Sequence, residues 1–305
     1  MKIATVTLNP AIDRSIIYDN EFLSGELNRV NSATVNAGGK GVNVSRMLKK
    51  LGKNSELYGF EGGYVGQMLC SMLKEEGLDN SFTKTRAETR MNIKITDKNG
   101  KETEINENGG PVSQEELDRL LTALKESESE VFIIGGSTPK GLPDDTVKQI
   151  VGILKARGKT VICDISGKPL KYAVENKPYL IKPNRQEFCD LLGYTPTDYV
   201  MEAINFYNST GIEILLTLGK KGAVYSGRAG NCRVINPEII PKGFTGAGDT
   251  FLASYVYMLS EEKTFCEAIQ FASAASLSKV ELEGTNLPDI EHIKSNFDKI
   301  SVTQL

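Results

Sequence analysis

The chain has 305 residues, 40% of them apolar and 25% charged, with a net charge of −3 at pH 7. That length suits one large α/β domain with at most a small appendage. The charge gives no global attraction to nucleic acid or to an acidic membrane, so an anionic ligand has to be met by locally placed Lys and Arg.

In chain order, Met1–Leu8 reads as a strand that ends at Asn9-Pro10. Residues 13–18 and 28–35 read as further short strands. Ala37-Gly38-Gly39-Lys40-Gly41 is glycine-rich, and a helix follows with Val44, Met47, Leu48 and Leu51 on one face. Residues 55–60 read as strand and 66–76 as helix. Arg90–Thr96 and Glu102–Asn106 form a hairpin about Asn99-Gly100, a strong turn signal. Ser113 with Glu116 is a capping box that opens the next helix. Then strand and helix alternate: strands near 131–134, 160–164, 179–181 and 213–218, helices near 145–156, 185–192 and 199–208. Residues 223–226 and 232–235 pair as a hairpin, and helices over 250–259 and 265–280 complete the pattern.

Short, fully apolar strands alternating with helices predict a three-layer α/β fold with a mostly parallel sheet covered on both faces. The strands near 10–35 and 87–110 break that rhythm. They suit a small β-sheet lid over the carboxyl edge of the main sheet, where open α/β folds bind ligands. Residues 1–305 are expected to be one domain with the lid strands inserted.

The single histidine, His292, sits in a stretch that reads as a terminal surface helix. Proton transfer therefore falls to a carboxylate, lysine, tyrosine or cysteine. The five cysteines form no CxxC pair, which points away from zinc sites and redox dithiols. Four of them are expected to be buried as small hydrophobes. The first eight residues are too short and too alternating for a signal sequence, and no run reaches the length of a membrane span. A reducing cytoplasm is the expected setting.

Five stretches carry chemistry, each with a plain structural alternative. Thr245-Gly246-Ala247-Gly248-Asp249 precedes a helix. Its glycines allow N–H groups to converge at the positive helix end, and Asp249 is either an ordinary first-turn carboxylate or a base beside a bound anion. The third glycine of a dinucleotide fingerprint is missing. Gly38-Gly39-Lys40-Gly41-Val42-Asn43 lacks Walker spacing and is either a tight turn or a polyol site. Lys182-Pro183-Asn184 with Glu187 is explained by a capping box. It is also compatible with a carboxylate that organises water on Mg²⁺ beside a nucleotide. Thr217-Leu218-Gly219-Lys220-Lys221-Gly222 is a basic turn that gains meaning only beside Gly246–Asp249. Arg90, Asn92 and Lys94 share one strand face, either solvated or facing a phosphate.

These motifs, in this order and with Asn9-Pro10-Ala11-Ile12-Asp13 ahead of them, resemble the ribokinase-like carbohydrate kinases, also called the phosphofructokinase-B family. The resemblance spans essentially the whole chain. Thr89–Lys94 (TRMNIK) brings it nearest to the sugar-phosphate branch. It implies transfer of the ATP γ-phosphoryl group to the 6-hydroxyl of fructose 1-phosphate, with tagatose 6-phosphate as the alternative substrate. A non-catalytic sugar-phosphate sensor is a distant third reading.

By resemblance, Asp249 would be the base and Gly246, Ala247 and Gly248 the anion hole. Asp13, Gly38, Gly39, Lys40 and Asn43 would hold the sugar, Arg90, Asn92 and Lys94 would lie toward its phosphate, and Ser137 would belong to a loop at the substrate end. Lys182, Asn184, Thr217, Gly219, Lys220, Lys221 and Gly222 would meet ATP together with Gly248 and Asp249. Glu187 would act on Mg²⁺ through water. Gly243-Phe244 stand where many members carry an Asp and a Thr near a monovalent cation, which leaves potassium dependence open. The implied partners are the sugar phosphate and ATP, with no nucleic acid or membrane. A homodimer through the lid is expected.

Overall fold

The alternating start of the chain forms β1 (Ile3–Thr7), followed by β2 (Ala11–Ile17), β3 (Ser32–Gly38) and α1 (Lys40–Lys50). Next come β4 (Ser55–Gly62), α2 (Gly63–Glu75), β5 (Asn80–Thr85), β6 (Arg90–Thr96), β7 (Glu102–Asn106) and α3 (Gln114–Glu126). The alternation continues with β8 (Val131–Gly135), α4 (Thr146–Ala156), β9 (Thr160–Asp164), α5 (Gly167–Glu175), β10 (Leu180–Ile181), α6 (Arg185–Leu192), α7 (Tyr199–Thr210) and β11 (Glu213–Thr217). A 3₁₀ turn, Gly219–Lys221, leads into β12 (Ala223–Gly227) and β13 (Gly230–Ile235). The chain closes with α8 (Ala247–Ser260), α9 (Phe265–Val280), α10 (Ile290–Phe297) and β14 (Ser301–Gln304). This computed structural model describes residues 1–30 and 32–305. Asn31, within the strand expected over 28–35, lies outside the described residues.

The main sheet runs β14-β13-β12-β11-β10-β9-β8-β1-β4-β5. From β5 to β11 every neighbouring pair is parallel; β12, β13 and β14 are added antiparallel. Strand order reverses at β1, whose neighbours are β4 on one side and β8 on the other. Such a reversal opens a crevice at the carboxyl ends of the strands.

Alternate strand residues feed two cores, as a period of two requires. Phe132 and Ile134 pack with Leu120, Val151, Phe188 and Phe206 under α3, α4, α6 and α7. Val131 and Ile133 pack with Met47, Leu252, Tyr255 and Ala272 under α1, α8 and α9. The capping box at Ser113 and Glu116 forms as the sequence predicts, with both reciprocal bonds made.

The second sheet has four strands in the order β3-β2-β6-β7. β2 pairs parallel to β6 in a register that sets Asp13 beside Asn92, and antiparallel to β3 with Asp13 beside Asn36. Its inner face meets α1 and α2 through Ile12, Ala37, Val42 and Leu69. β3 begins and ends later than the sequence pattern suggested and includes Gly38.

β5, α5 and β14 were not evident in the sequence. β5 and β14 are edge strands with one neighbour each, and their exposed positions blur the alternation. α5 carries Gly167 and Pro169 in its first turn, residues that read as breakers although proline is tolerated there. The cysteines also differ from expectation. All five are free, but Cys163 and Cys232 alone are buried, while Cys70, Cys189 and Cys266 lie half-exposed on helices. No helix among the described residues is long and apolar enough to cross a membrane.

Candidate active site

The carboxyl ends of β1, β8, β9, β10 and β11 converge on one crevice with the N-termini of α1 and α8. Gly246 caps α8 with φ 77°, a left-handed conformation that favours glycine. Ala247, Gly248 and Asp249 form the first helical turn, so the helix starts three residues earlier than the sequence pattern placed it. The first-turn N–H groups have no carbonyl one turn back within the helix and are available to an anion. That of Ala247 is turned to the Phe244 carbonyl at 3.2 Å. Gly248 is exposed and Asp249 is buried directly beneath it.

Asn43, one turn into α1, donates its Nδ2–H to Asp249 Oδ2 at 2.7 Å. Arg46 faces the Asn43 Oδ1 and donates to the Ala37 carbonyl, which fixes the way round of the amide. Burial pushes the Asp249 carboxyl up to about 6, and the charge of Asp164 adds to the rise. Asn43, Lys40 and Lys182 pull in the other direction. The result is a carboxylate that is charged at neutral pH and has a stronger appetite for a proton than an exposed Asp.

Asp164, the last residue of β9, organises the cations. Its carboxylate lies 2.9 Å from Lys40 Nζ and 3.2 Å from Lys182 Nζ. Burial works against its charge, yet Lys182 and Lys40 outweigh that and hold it below the usual carboxylate range. Lys40, although partly desolvated, is raised by Asp164 and Glu187 together. Lys182 is itself buried, and its Nζ lies 3.5 Å from where a Cβ on Gly248 would stand. The exposed end of the α8 turn thus has a lysine beside it. Lys40 faces this charged group, not the small sheet.

The glycines of the first loop have packing reasons. A Cβ on Gly38 would collide with the Asp13 carboxylate, and one on Gly39 would stand 2.7 Å from Thr7 Cγ2. Gly39 also has φ 123° as the cap of α1. At the far end, Asn92 Nδ2 donates to Asp13 Oδ1 at 2.8 Å, and Arg90 donates to Asn92 Oδ1 at 3.2 Å. Arg90 Nε donates to the Asn9 carbonyl at 3.1 Å, while Asn9 Nδ2 donates to Ser137 Oγ at 3.2 Å. Asp13, Arg90, Asn92 and Ser137 are therefore in one web. Lys94 is not brought into it: its ammonium pairs with Glu102 on β7 at 2.7 Å.

On the other flank, Asn184 and Glu187 make both bonds of the expected capping box of α6. Glu187 Oε2 takes the cap N–H at 2.9 Å, and Oε1 faces Lys40 at 4.0 Å. Asn184 bridges to Thr217, whose N–H donates to the Pro183 carbonyl at 3.0 Å. Thr217, Gly219, Lys220, Lys221 and Gly222 thereby stand next to the Lys182–Asn184 segment, with both loop lysines exposed. Through Lys182 the adjacency continues to Gly248.

A model of the pfkB family of carbohydrate kinases matches residues 6–292. The chain belongs to that family. It is similar to the 1-phosphofructokinase of Borreliella burgdorferi, at 35% identity covering 99% of both chains. It is also similar to a tagatose-6-phosphate kinase of Staphylococcus epidermidis, at 31% identity over 99% of this chain and 100% of that protein. Among solved structures, phosphofructokinase-2 from Escherichia coli in complex with potassium superposes with a TM-score of 0.92 at 25% identity, covering 97% and 98% of the two chains.

In this pfkB kinase, Asp164 is the site residue that sequence reasoning passed over. Its signal was available: an acid at the carboxyl end of a short apolar strand in a parallel sheet, where ligands bind. Asn9 was read as a strand end and as the start of the Asn9–Asp13 motif, with no role given to its side chain, which proves to join the end of β1 to Ser137. The collision at Gly38 gives a direct expectation for the kinase. Gly38→Ala displaces the Asp13 carboxylate, so the KM for the sugar should rise about tenfold or more, with a smaller change in the KM for ATP. Steady-state kinetics with each substrate varied in turn checks it. Equal changes in both constants would mean a general disturbance of the crevice.

Proposed function

We propose that the chain transfers the γ-phosphoryl group of ATP to the 6-hydroxyl of fructose 1-phosphate, giving ADP and fructose 1,6-bisphosphate. The observation that carries the proposal is the buried Asp249 carboxyl at the first turn of α8, held by Asn43 Nδ2 at 2.7 Å; burial raises its proton affinity as a base requires. Arg90, in its web with Asn92 and Asp13, supports it from the other end of the crevice. A ketohexose phosphate has its phosphate and its reactive hydroxyl at opposite ends, and this crevice offers a cation at one end and a base at the other.

In this reading Asp249 accepts the proton of the 6-hydroxyl as that oxygen bonds to the γ-phosphorus. The bond from phosphorus to the β–γ bridging oxygen breaks, and ADP leaves with that electron pair. The Gly246, Ala247 and Gly248 turn meets the charge spread over the transferring group. Lys182 stands at the same charge. Asp13, Gly38, Gly39 and Asn43 hold the sugar, with Arg90, Asn92 and Ser137 toward its phosphate. Asn184 and the Thr217–Gly222 loop receive the nucleotide.

The enzyme uses ATP with Mg²⁺ as its family does. No group of three metal-ligating side chains exists among the described residues, so the fit is to an ion carried on the ATP phosphates with most of its waters. Glu187 Oε1, not used by the helix cap, would order one of those waters. When bound, the ion neutralises charge on the β- and γ-phosphates.

Tagatose 6-phosphate is the second reading, favoured by the similarity to the staphylococcal tagatose-6-phosphate kinases. Initial rates of ADP release on a panel of free and phosphorylated sugars separate the two. The expected result is the highest kcat/KM on fructose 1-phosphate; a higher value on tagatose 6-phosphate overturns the first reading.

Residues 1–305 act in this proposal as one kinase domain with the small sheet as its lid. The lid also offers a pairing surface. Ile17 is 61% exposed on β2 and Ile105 53% exposed on β7, and the outer strands β3 and β7 are open edges. A homodimer through this sheet is expected, with Ile105→Asp shifting the sedimenting species to a monomer. An unchanged mass for that variant would place the interface elsewhere.

A further inference from the structure

Lys279, in the last turn of α9, is the most deeply buried lysine of the described residues, at 1% exposure. Its Nζ donates to the Gly284 carbonyl at 2.8 Å. Burial alone displaces its pKa, downward, and no carboxylate within reach offsets that among the described residues. Its Cε lies 3.6 Å from where a Cβ on Gly246 would stand, so the side chain runs directly under the cap of α8. The loop ahead of that cap is tied to the same helix end, since Lys242 N–H donates to the Val280 carbonyl at 2.7 Å.

A stabilising role at the C-terminus of α9 does not account for this placement. A cation at an exposed helix C-terminus gains a small stabilisation from the helix dipole. Burying an ammonium with no carboxylate partner costs more than that gain. An exposed lysine would obtain the first without the second. The arrangement also sets two positive groups at one spot, the ammonium and the N-terminal end of α8. They repel each other until an anion arrives above the turn.

We propose that Lys279 is a positioning residue for phosphoryl transfer. Its ammonium is a fixed counter-charge beneath the Gly246–Gly248 turn. It holds the turn in place with the exposed Gly248 toward the transferring phosphoryl group and supports the charge that gathers there. This rests on the reading of that turn as the anion hole.

The test uses Lys279→Gln and Lys279→Ala in the full chain, with Asp249→Asn alongside. The glutamine keeps a donor for the Gly284 carbonyl and removes the charge. It should lower kcat about 10–100-fold, with the KM for both substrates changed by less than about threefold. Lys279→Ala should lose at least as much kcat and recover about tenfold of it on addition of ethylammonium chloride. Tetramethylammonium chloride at equal ionic strength should restore nothing. Wild-type kcat in Lys279→Gln overturns the proposal. So does a loss in Lys279→Ala that ethylammonium leaves untouched, because a purely structural strut gives that result. If Lys279→Ala does not fold, kcat in Lys279→Gln decides alone. Turnover surviving in Asp249→Asn would overturn the reading of the site itself, whereas loss there with wild-type kcat in Lys279→Gln overturns only the role of Lys279.

Discussion

Asp249→Asn is expected to lower kcat about 10³-fold while leaving the binding of ATP and sugar phosphate largely intact. The amide can still accept the hydrogen bond from Asn43, so the geometry survives and only the proton acceptor is lost. The same variant should be more stable than the parent. The Asp249 carboxyl is raised to about 6 in the folded chain from an ordinary value of 3.8, chiefly by burial. Its protonation therefore favours the native state. As pH rises from about 4 through 6, the folded chain gives up a proton that the unfolded chain has already lost, and stability falls. At pH 7 the ionised form is a burden on the order of 2–3 kcal/mol, which the amide removes. A melting temperature raised by a few degrees together with lost turnover is the expected pair. A lowered melting temperature would mean that the carboxylate is held by something other than Asn43 and the two lysines. In the parent, kcat/KM should fall as pH drops through about 6, because a protonated carboxyl cannot accept the hydroxyl proton.

Asp164→Asn has the second-largest expected effect. Lys182, 5% exposed, and Lys40 both rest on this carboxylate. Removing one partner of a buried pair leaves a desolvated charge behind, a loss on the order of 3 kcal/mol. Chemical denaturation should show a lower midpoint with an unchanged slope. The variant also removes a negative neighbour of Asp249, whose carboxyl Asp164 helps to raise. With the lysines freed to act on it, Asp249 should titrate lower, and the acid limb of kcat/KM should move to lower pH. An unmoved limb would show that burial alone sets the base. Turnover at the plateau should fall as well, since Lys40 and Lys182 lose the group that aims them.

The β/α rhythm and the strands at 90–96 and 102–106 were legible because buried parallel strands and an Asn-Gly turn leave strong local marks. The two edge strands were not, because half their surface is solvated and carries no period. In the site, Asp249, Asn43, Asp13, Asn92 and Arg90 could be named from motifs alone. Their contacts could not. The bond from Asn43 to Asp249 joins residues 206 positions apart, and nothing local encodes it. Lys40 shows the limit most clearly. A lysine in a glycine loop reads as a sugar contact, yet a buried acid at residue 164 turns it toward the charged end of the crevice. Asp164 itself was hidden because one acid at a strand end has no motif; only the two lysines that converge on it make it conspicuous.

Helix α1 opens with Lys40 and carries Asn43 one turn later, so a single rigid turn touches both the cation cluster and the base. Those contacts cannot be tuned one at a time: any shift of the turn moves both. Asp13, Arg90 and Asn92 sit instead on two strands of the separate small sheet, linked to one another and not, among the described residues, to Asp249 or the lysine cluster. The division separates two kinds of constraint: a substitution in the small sheet acts on one end of the crevice alone, while one in the α1 turn is felt at the start of α8 through the Asn43–Asp249 bond.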